Sequence, residues 1–522
     1  MLRCWKMVFG CCLAATATCM VAADDKPPAA VLAGGVEAIS PTAPARAVPA
    51  LSITQHEATI AGQQLTYQVT AGSLPLKTDS GQDTAQVFFV AYTRTGGKGA
   101  TGRPISYCFN GGPGSSSVWL HLGMLAPVRV QLGDQPQPVS PPYRLGPNPF
   151  SMLDKTDLVF IDPVSTGYSR PAADQDGKQF YGYEQDIRSV GQFIHLYTTR
   201  FNRWQSPRFL IGESYGCMRA AGLSKHLQDR YRMELNGIVL VSSVINFQTI
   251  RFGVGNDLPY ILFLPTYTAT AWYHKRLSPE LQKSLPQALA AAEKFALGDY
   301  ALALIRGTEL KSRERQRIAR EVARFTGLSA TFVQRSNLRI RMSQFAKELL
   351  RKRNRTIGRF DSRYLGIDRD GVGDRYDFDP SGAAIFGPFT AALYQYLRND
   401  LKVEQDAPYE ILTSKVQPWS YEGFQNRYVD SSESLRAAMT RNPYLKVFVA
   451  NGRYDLATPY LATEYSFSHM LLAPELRSNV TMGYYDAGHM MYIHEPSLER
   501  LKRDLDKFYE AAAPPRAPKA PQ

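Results

Sequence analysis

Short apolar runs, bounded by Gly, Pro, Asp or Lys and separated by stretches of helical period, set the rhythm of this 522-residue chain. Runs at 59–70, 86–93 and 105–109 predict three strands at the start of the folded region. Leu158-Val159-Phe160-Ile161 and Phe209-Leu210-Ile211 predict two more, with a helix over 183–200 between them. Gly237-Ile238-Val239-Leu240-Val241 follows a helix over 218–231. Strands alternating with helices in this way imply a mostly parallel sheet with helices on both faces. From 247 to 388 the alternation stops, and the chain becomes helical, basic and interrupted by Gly and Pro, as expected of an inserted cap. Alternation resumes with a strand over 446–450, a helix from Pro459, a strand over 480–485 and a last helix over 496–511. The pattern divides the chain into an α/β core, 51–246 and 389–510, and a mainly helical cap insertion, 247–388. No repeat of about 20–50 residues runs through it, which argues against a solenoid or propeller.

The ends read differently. Arg3 and Lys6 precede an apolar run over 7–21 and then Val21-Ala22-Ala23, the layout of a secretory signal peptide over 1–23. Residues 24–50, rich in Ala and Pro, predict a flexible lead-in, and 511–522 a disordered tail. The expected location is therefore secreted or periplasmic. Cys4, Cys11, Cys12 and Cys19 leave with the signal, so the mature chain keeps Cys108 and Cys217, as two thiols or as one bridge.

Removing Arg3 and Lys6 lowers the formal charge from +13 to +11, and the excess is concentrated. Between Arg306 and Arg359 there are 16 Lys or Arg against four Glu. Such a density attracts nucleic acid or anionic membrane when a matching motif is present. None is, and no later run reaches the ~20 apolar residues of a transmembrane helix. The expectation is a solvated cap face, with no nucleic-acid partner and no stable membrane insertion.

Chemistry enters at Ile211-Gly212-Glu213-Ser214-Tyr215-Gly216, a serine between two glycines after an apolar strand and before a helix. This is the context of a nucleophile elbow, whose strained turn exposes the serine Oγ. A serine hydroxyl needs a base within hydrogen-bond reach and a third group that fixes the base's tautomer. Asp455 and His489 each follow a late strand, in the chain order serine, aspartate, histidine of the α/β-hydrolase fold. Of eight histidines, His489 alone occupies such a loop; His494, beside Glu495-Pro496, reads as a surface residue at a helix start. Asn110-Gly111-Gly112-Pro113-Gly114-Ser115-Ser116-Ser117 follows the third strand, where this fold places one arm of its oxyanion hole. The Gly112 and Tyr215 amides are the expected donor pair.

With these motifs assembled, the chain resembles the serine carboxypeptidase family, peptidase family S10, and in particular its bacterial exported members. The resemblance rests on Asn110 to Ser117, Asp162-Pro163-Val164-Ser165-Thr166-Gly167-Tyr168-Ser169, Gly212 to Gly216, Asp455 with Pro459, and Gly488-His489-Met490. It implies an α/β-hydrolase core, no metal or organic cofactor, peptide substrates, and release of C-terminal residues through an acyl-enzyme. It also implies that Asn110 and Glu213 bind the substrate's terminal carboxylate. A glutamate pairs with a carboxylate only when one of the two holds a proton. Where better-known members carry a tryptophan and a second glutamate, this chain has Cys108 and Met124. A methionine cannot share that proton, so neither strict exopeptidase specificity nor a strongly acidic optimum follows. An esterase or acyltransferase with the same triad is the alternative. Met490, Tyr215 and the cap run from Leu264 to Tyr273 are candidates for apolar subsites or for core. Asp368, Asp370, Asp374 and Asp379 do not make a calcium loop, since Val372 stands where an oxygen ligand is needed.

Overall fold

The computed structural model describes residues 51–96, 102–133 and 135–514. The signal peptide read at 1–23 and the lead-in at 24–50 lie outside them, as do residues 515–522 of the tail read at 511–522, whose first two residues instead end the last helix at Ala512.

The core is a nine-membered path of strands: β1 (Ser52–Ile60), β2 (Gln63–Lys77), β3 (Asp83–Thr95), β4 (Ile105–Phe109), β5 (Asp157–Ile161), β6 (Arg208–Glu213), β7 (Gly237–Val241), β8 (Lys446–Gly452) and β9 (Val480–Tyr485). Their order across the sheet is β1-β2-β3-β5-β4-β6-β7-β8-β9, with the short strand Arg170–Pro171 pairing β3 beside β5. From β5 to β9 every neighbouring pair is parallel, whereas β1, β2 and β3 form an antiparallel meander that joins β5. The expected α/β-hydrolase sheet is present.

Continuous apolar runs form these parallel strands because both faces are buried. Cys108, Phe160, Ile211 and Val239 point into one layer, packed against the helices α5 (Pro380–Gln395) and α6 (Glu495–Ala512). Tyr107, Val159, Leu210 and Ile238 point into the other, against α1 (Tyr183–Arg200) and α2 (Tyr215–Tyr231). That period of two, apolar on both sides, is the signature of a parallel sheet between helical layers.

The run at 59–70 proves to be parts of two strands. Ala61 (φ 47°) and Gly62 (φ 78°) turn the chain between β1 and β2, a two-residue hairpin of the type whose two central residues both have positive φ. β1 is an edge strand in which partly buried and exposed residues alternate, so it carries little apolar signal.

After β7 the chain enters the helical region predicted from 247 onward. Its centre is α3 (Leu258–Tyr273), which packs with α4 (Ser312–Thr326) around a core of its own that includes Leu264, Tyr267, Ala271, Val322 and Phe345. Leu456, from the loop after β8, joins that cluster. α5 then returns the chain to the sheet. All described residues fall in one compact unit.

Candidate active site

The loops at the carboxyl ends of β4, β6, β8 and β9 converge. At the end of β6, Ser214 has φ 59° and ψ −124°, a region that non-glycine residues enter only when their surroundings hold them there. The hold comes from Ser214 N donating to Val241 O at 3.0 Å and from close approach of the flanking chain. A Cβ on Gly212 would lie 2.3 Å from Gly216 O, and one on Gly111 would lie 2.4 Å from Tyr215 N. Glycine at both positions lets the elbow close on itself and the Asn110 loop lie directly against it.

His489 follows β9. Its Nδ1 lies 2.7 Å from Asp455 Oδ2, and Asp455 is fully buried. Asp455 Oδ1 accepts from Ala457 N (2.7 Å) and Thr458 N (3.0 Å), and Oδ2 accepts from Thr458 Oγ1 (2.7 Å). With Asp455 accepting from Nδ1, Nε2 is left as the acceptor nitrogen. Burial works to lower the His489 pKa, but the Asp455 charge, its hydrogen bond and the Glu213 charge outweigh burial and hold it above the ordinary imidazole value. The ring is backed by Phe360, stacked with centroids 5.2 Å apart.

Ser214 and His489 share the walls of a cavity of about 190 Å³ with Asn110, Glu213, Trp119 and Met490. Asn110 Oδ1 accepts from Leu120 N at 3.1 Å, which fixes the amide so that Nδ2 points the other way. Nδ2 is buried and makes no well-formed hydrogen bond among the described residues, although Glu213 is near enough to feel it. Glu213 is buried beside it. Burial raises the Glu213 pKa to about 7, against the lowering influence of His489, the Tyr492 hydroxyl and the nearby Asn110 amide.

Tyr492 is the residue that sequence reading missed. Its hydroxyl donates to Glu213 Oε2 at 2.5 Å. Its ring packs against Gly123, next to Met124, where an added Cβ would meet Tyr492 Cε2 at 2.5 Å. Met124 and Cys108 are buried and line neither cavity at Ser214. The polar partner of Glu213 therefore comes from the histidine loop, three residues after His489, instead of from position 124. The absence of a glutamate there was a signal to look for a substitute.

The Gly112 loop faces Ser214 across the same opening. Gly112 has φ 100°, and neither the Gly112 nor the Tyr215 N–H has an acceptor among the described residues. Both residues line a second cavity, of about 340 Å³, that also reaches Ser214. Arg219, five residues into α2, supports the arrangement from beneath, with Nη1 on Asn110 O at 2.5 Å and Nε on Asp186 Oδ2 at 2.7 Å.

These positions, in this order along the chain, match a known family: a model of serine carboxypeptidase, peptidase family S10, fits residues 62–495. The chain belongs to the serine carboxypeptidase family. Among its relatives is the pheromone-processing carboxypeptidase KEX1 of Saccharomyces cerevisiae, 30% identical over 159 residues, or 28% of this chain and 21% of that protein. Another is serine carboxypeptidase-like 36 of Arabidopsis thaliana, 27% identical over 148 residues, or 27% of this chain and 29% of that protein. Each match thus spans less than a third of the relative's own length. The crystal structure of KEX1(delta)p, a prohormone-processing carboxypeptidase from Saccharomyces cerevisiae, superposes with a TM-score of 0.55 at 17% identity, covering 85% of this chain and 91% of that one. That likeness establishes the fold.

The remaining candidates of this family member are also placed. Cys108 and Cys217 are buried free thiols, and burial pushes both thiol pKa values up. His494 precedes α6, with Nδ1 2.8 Å from Ser497 Oγ. Met490 and Tyr215 line the cavities, whereas the run from Leu264 to Tyr273 lines neither and supplies cap core. Asp368 pairs with buried Lys347 at 2.5 Å, and Asp379 caps α5. Among the described residues no group of His, Cys, Asp or Glu is arranged to hold a metal, and no helix is long and apolar enough to cross a membrane.

Proposed function

We propose that this protein is a serine carboxypeptidase that removes C-terminal residues from peptides through an acyl-enzyme on Ser214. One observation carries the reading. The cavity at Ser214 holds a buried Asn110 amide with no well-formed hydrogen bond and, beside it, a buried Glu213 carboxyl that keeps its proton to about pH 7. An uncompensated buried donor is costly, and a terminal carboxylate satisfies it. Asn110 Nδ2 donates to one carboxylate oxygen and protonated Glu213 to the other. Tyr492 holds Glu213 in place.

In the reaction, His489 takes the Ser214 proton as Oγ attacks the scissile carbonyl, and Asp455 stabilises the imidazolium that results. The oxyanion rests on the Gly112 and Tyr215 amides. The tetrahedral adduct collapses with loss of the C-terminal residue, whose amine takes the proton from His489. Water, deprotonated by His489, then releases the shortened peptide.

Turnover of a blocked dipeptide with a free C-terminus, compared with its amidated counterpart and a simple ester, tests this reading. The free acid should be preferred by about tenfold or more, the equivalent of one charge-assisted hydrogen bond. Equal rates on free and amidated peptides would leave an esterase or acyltransferase in its place. Ser214→Ala should abolish turnover of all three.

We also propose export, on the strength of the leader pattern over 1–23. Amino-terminal sequencing of the mature protein is expected to begin at Asp24; a chain that keeps Met1 overturns it.

A further inference from the structure

Two cavities meet at Ser214, and the carboxylate-binding groups Asn110 and Glu213 line only one of them. On the proposed reading, that one takes the leaving residue. The acyl part of the peptide therefore runs into the other cavity. Its walls near Ser214 include apolar side chains such as Phe247 and Leu456, but its charged residues are Arg251, Arg341 and Arg359 alone; Arg251 and Arg341 line only this cavity, whereas Arg359 stands at the junction and lines both. No carboxylate lines it.

All three arginines belong to the helical region after β7, yet they differ from many of its other basic residues. Arg306, Arg317, Arg324, Arg339 and Arg351 are each paired with a carboxylate. Arg251, Arg341 and Arg359 form no ion pair among the described residues. Arg251 is held over the Phe247 ring, 5.0 Å from its centroid, and Arg359 over Phe360, 5.2 Å from its centroid. Two of the three are thus held by stacking, and Arg251 also by the Tyr421 hydroxyl, which leaves other donors of each planar guanidinium for a ligand. A guanidinium presents its N–H donors in a planar fork that matches a carboxylate. Three cations around a concave, partly apolar wall also reinforce one another's field and disfavour a cationic ligand.

We infer that Arg251 and Arg341, with Arg359 at the junction of the two cavities, form an acyl-side subsite for acidic peptides, so that the residues preceding the scissile bond are selected for Asp or Glu side chains. This deepens the carboxypeptidase reading and rests on it for the direction in which the peptide lies. The concentration of basic residues in the cap then has a specific part, three arginines at the catalytic opening, in addition to its solvated face.

The test compares kcat/KM for three blocked dipeptides that share one leaving residue and carry Glu, Leu or Lys before the scissile bond. Glu is expected to exceed Lys by about tenfold or more, which corresponds to ~1.4 kcal/mol, and the ratio should shrink with added salt. Arg251→Glu and Arg341→Glu, both at exposed positions, are each expected to lower the Glu-to-Lys ratio by about threefold or more. A ratio measured within one preparation does not depend on how much of a variant folds. Equal rates for Glu and Lys in the unaltered enzyme, or a ratio that neither substitution moves, overturns the inference. If the ratio is flat while free C-termini are still preferred over amidated ones, only the acidic subsite fails. If free and amidated peptides react alike, the carboxypeptidase reading fails, and the Glu-to-Lys ratio still decides whether this cavity selects acids.

Discussion

At the scale of single residues, the proposed mechanism has Glu213 and His489 set opposite limits on activity. Glu213 must hold its proton to donate to a terminal carboxylate, and its pKa lies at about 7 because burial penalises the charged form. As pH rises through that value it ionises, two like charges face each other, and KM for a free-acid peptide should climb about tenfold per pH unit. His489 must be neutral to accept the Ser214 proton, and its pKa is held above the ordinary value by Asp455 against the opposing effect of burial. Activity is therefore lost as pH falls through that raised pKa. The expected profile of kcat/KM for a free-acid peptide therefore has two limbs, an acidic one set by His489 and an alkaline one set by Glu213 at about 7. An ester with no carboxylate should keep the acidic limb and lose the alkaline one. A shared alkaline limb would remove Glu213 from substrate binding. Tyr492 offers a sharper check, because its hydroxyl favours the charged form of Glu213. Tyr492→Phe is expected to move the alkaline limb upward by about one unit, the size of one hydrogen bond to a charged group. A merely structural Tyr492 would lower activity without moving the limb.

At the scale of elements, what holds the site together is one buried arginine between two loops and two helices. Arg219 is 1% exposed, pairs with Asp186 of α1, and donates to the Asn110 carbonyl at the end of β4. Its guanidinium also lies 5.3 Å from the Phe109 ring centroid and 5.6 Å from that of Tyr215. Arg219→Met should cost about 3–5 kcal/mol, because it leaves Asp186 buried and unpaired. The double variant Arg219→Met with Asp186→Leu should recover much of that stability in denaturant unfolding, while KM for free-acid peptides stays raised because Asn110 has lost its anchor. Recovery of KM together with stability would mean that Arg219 serves packing alone. None of this was legible in sequence, where an arginine inside a helix reads as a surface residue. The elements themselves were legible in proportion to their burial. Parallel strands such as β5, β6 and β7 are apolar on both faces and stand out as continuous runs. The edge strand β1 alternates partly buried and exposed residues and escaped notice, and with it the Ala61-Gly62 turn. The serine, aspartate and histidine stood out in sequence because each follows a strand end, in the chain order of the fold. Tyr492 could not, since its partner lies 279 residues away in sequence.

At the scale of the whole molecule, the cap and the core build the site jointly. The segment from Arg359 to Arg363 threads between the loops that carry Asp455 and His489. Phe360 O accepts from His489 N at 2.5 Å, Asp361 Oδ2 accepts from Gly488 N at 3.1 Å, and Ser362 N donates to Tyr454 O at 3.0 Å. Asp361 is itself paired with Arg363, whose Nη1 reaches Asp486 O at 2.8 Å. Both members of that pair are buried, so removing one leaves an uncompensated charge. A cap acting only as a lid would cover the opening without shaping the histidine. Here the N–H groups of Gly488 and His489 both donate to the cap side, while the Ala487 and His489 carbonyls accept from the core residues Tyr454 and Ser242. Asp361→Ala is therefore expected to lower the free energy of unfolding by about 3–5 kcal/mol and to slow the labelling of Ser214 by a fluorophosphonate. That probe is small and needs neither the carboxylate-binding groups nor the acyl cavity, so its rate reports the nucleophile and base alone. Asp361→Asn, which keeps one acceptor for Gly488 N but gives up the charge, should fall between the two. A folded Asp361→Ala enzyme that labels at the unaltered rate would show that the His489 loop stands without the cap, and would return the cap to the role of a lid.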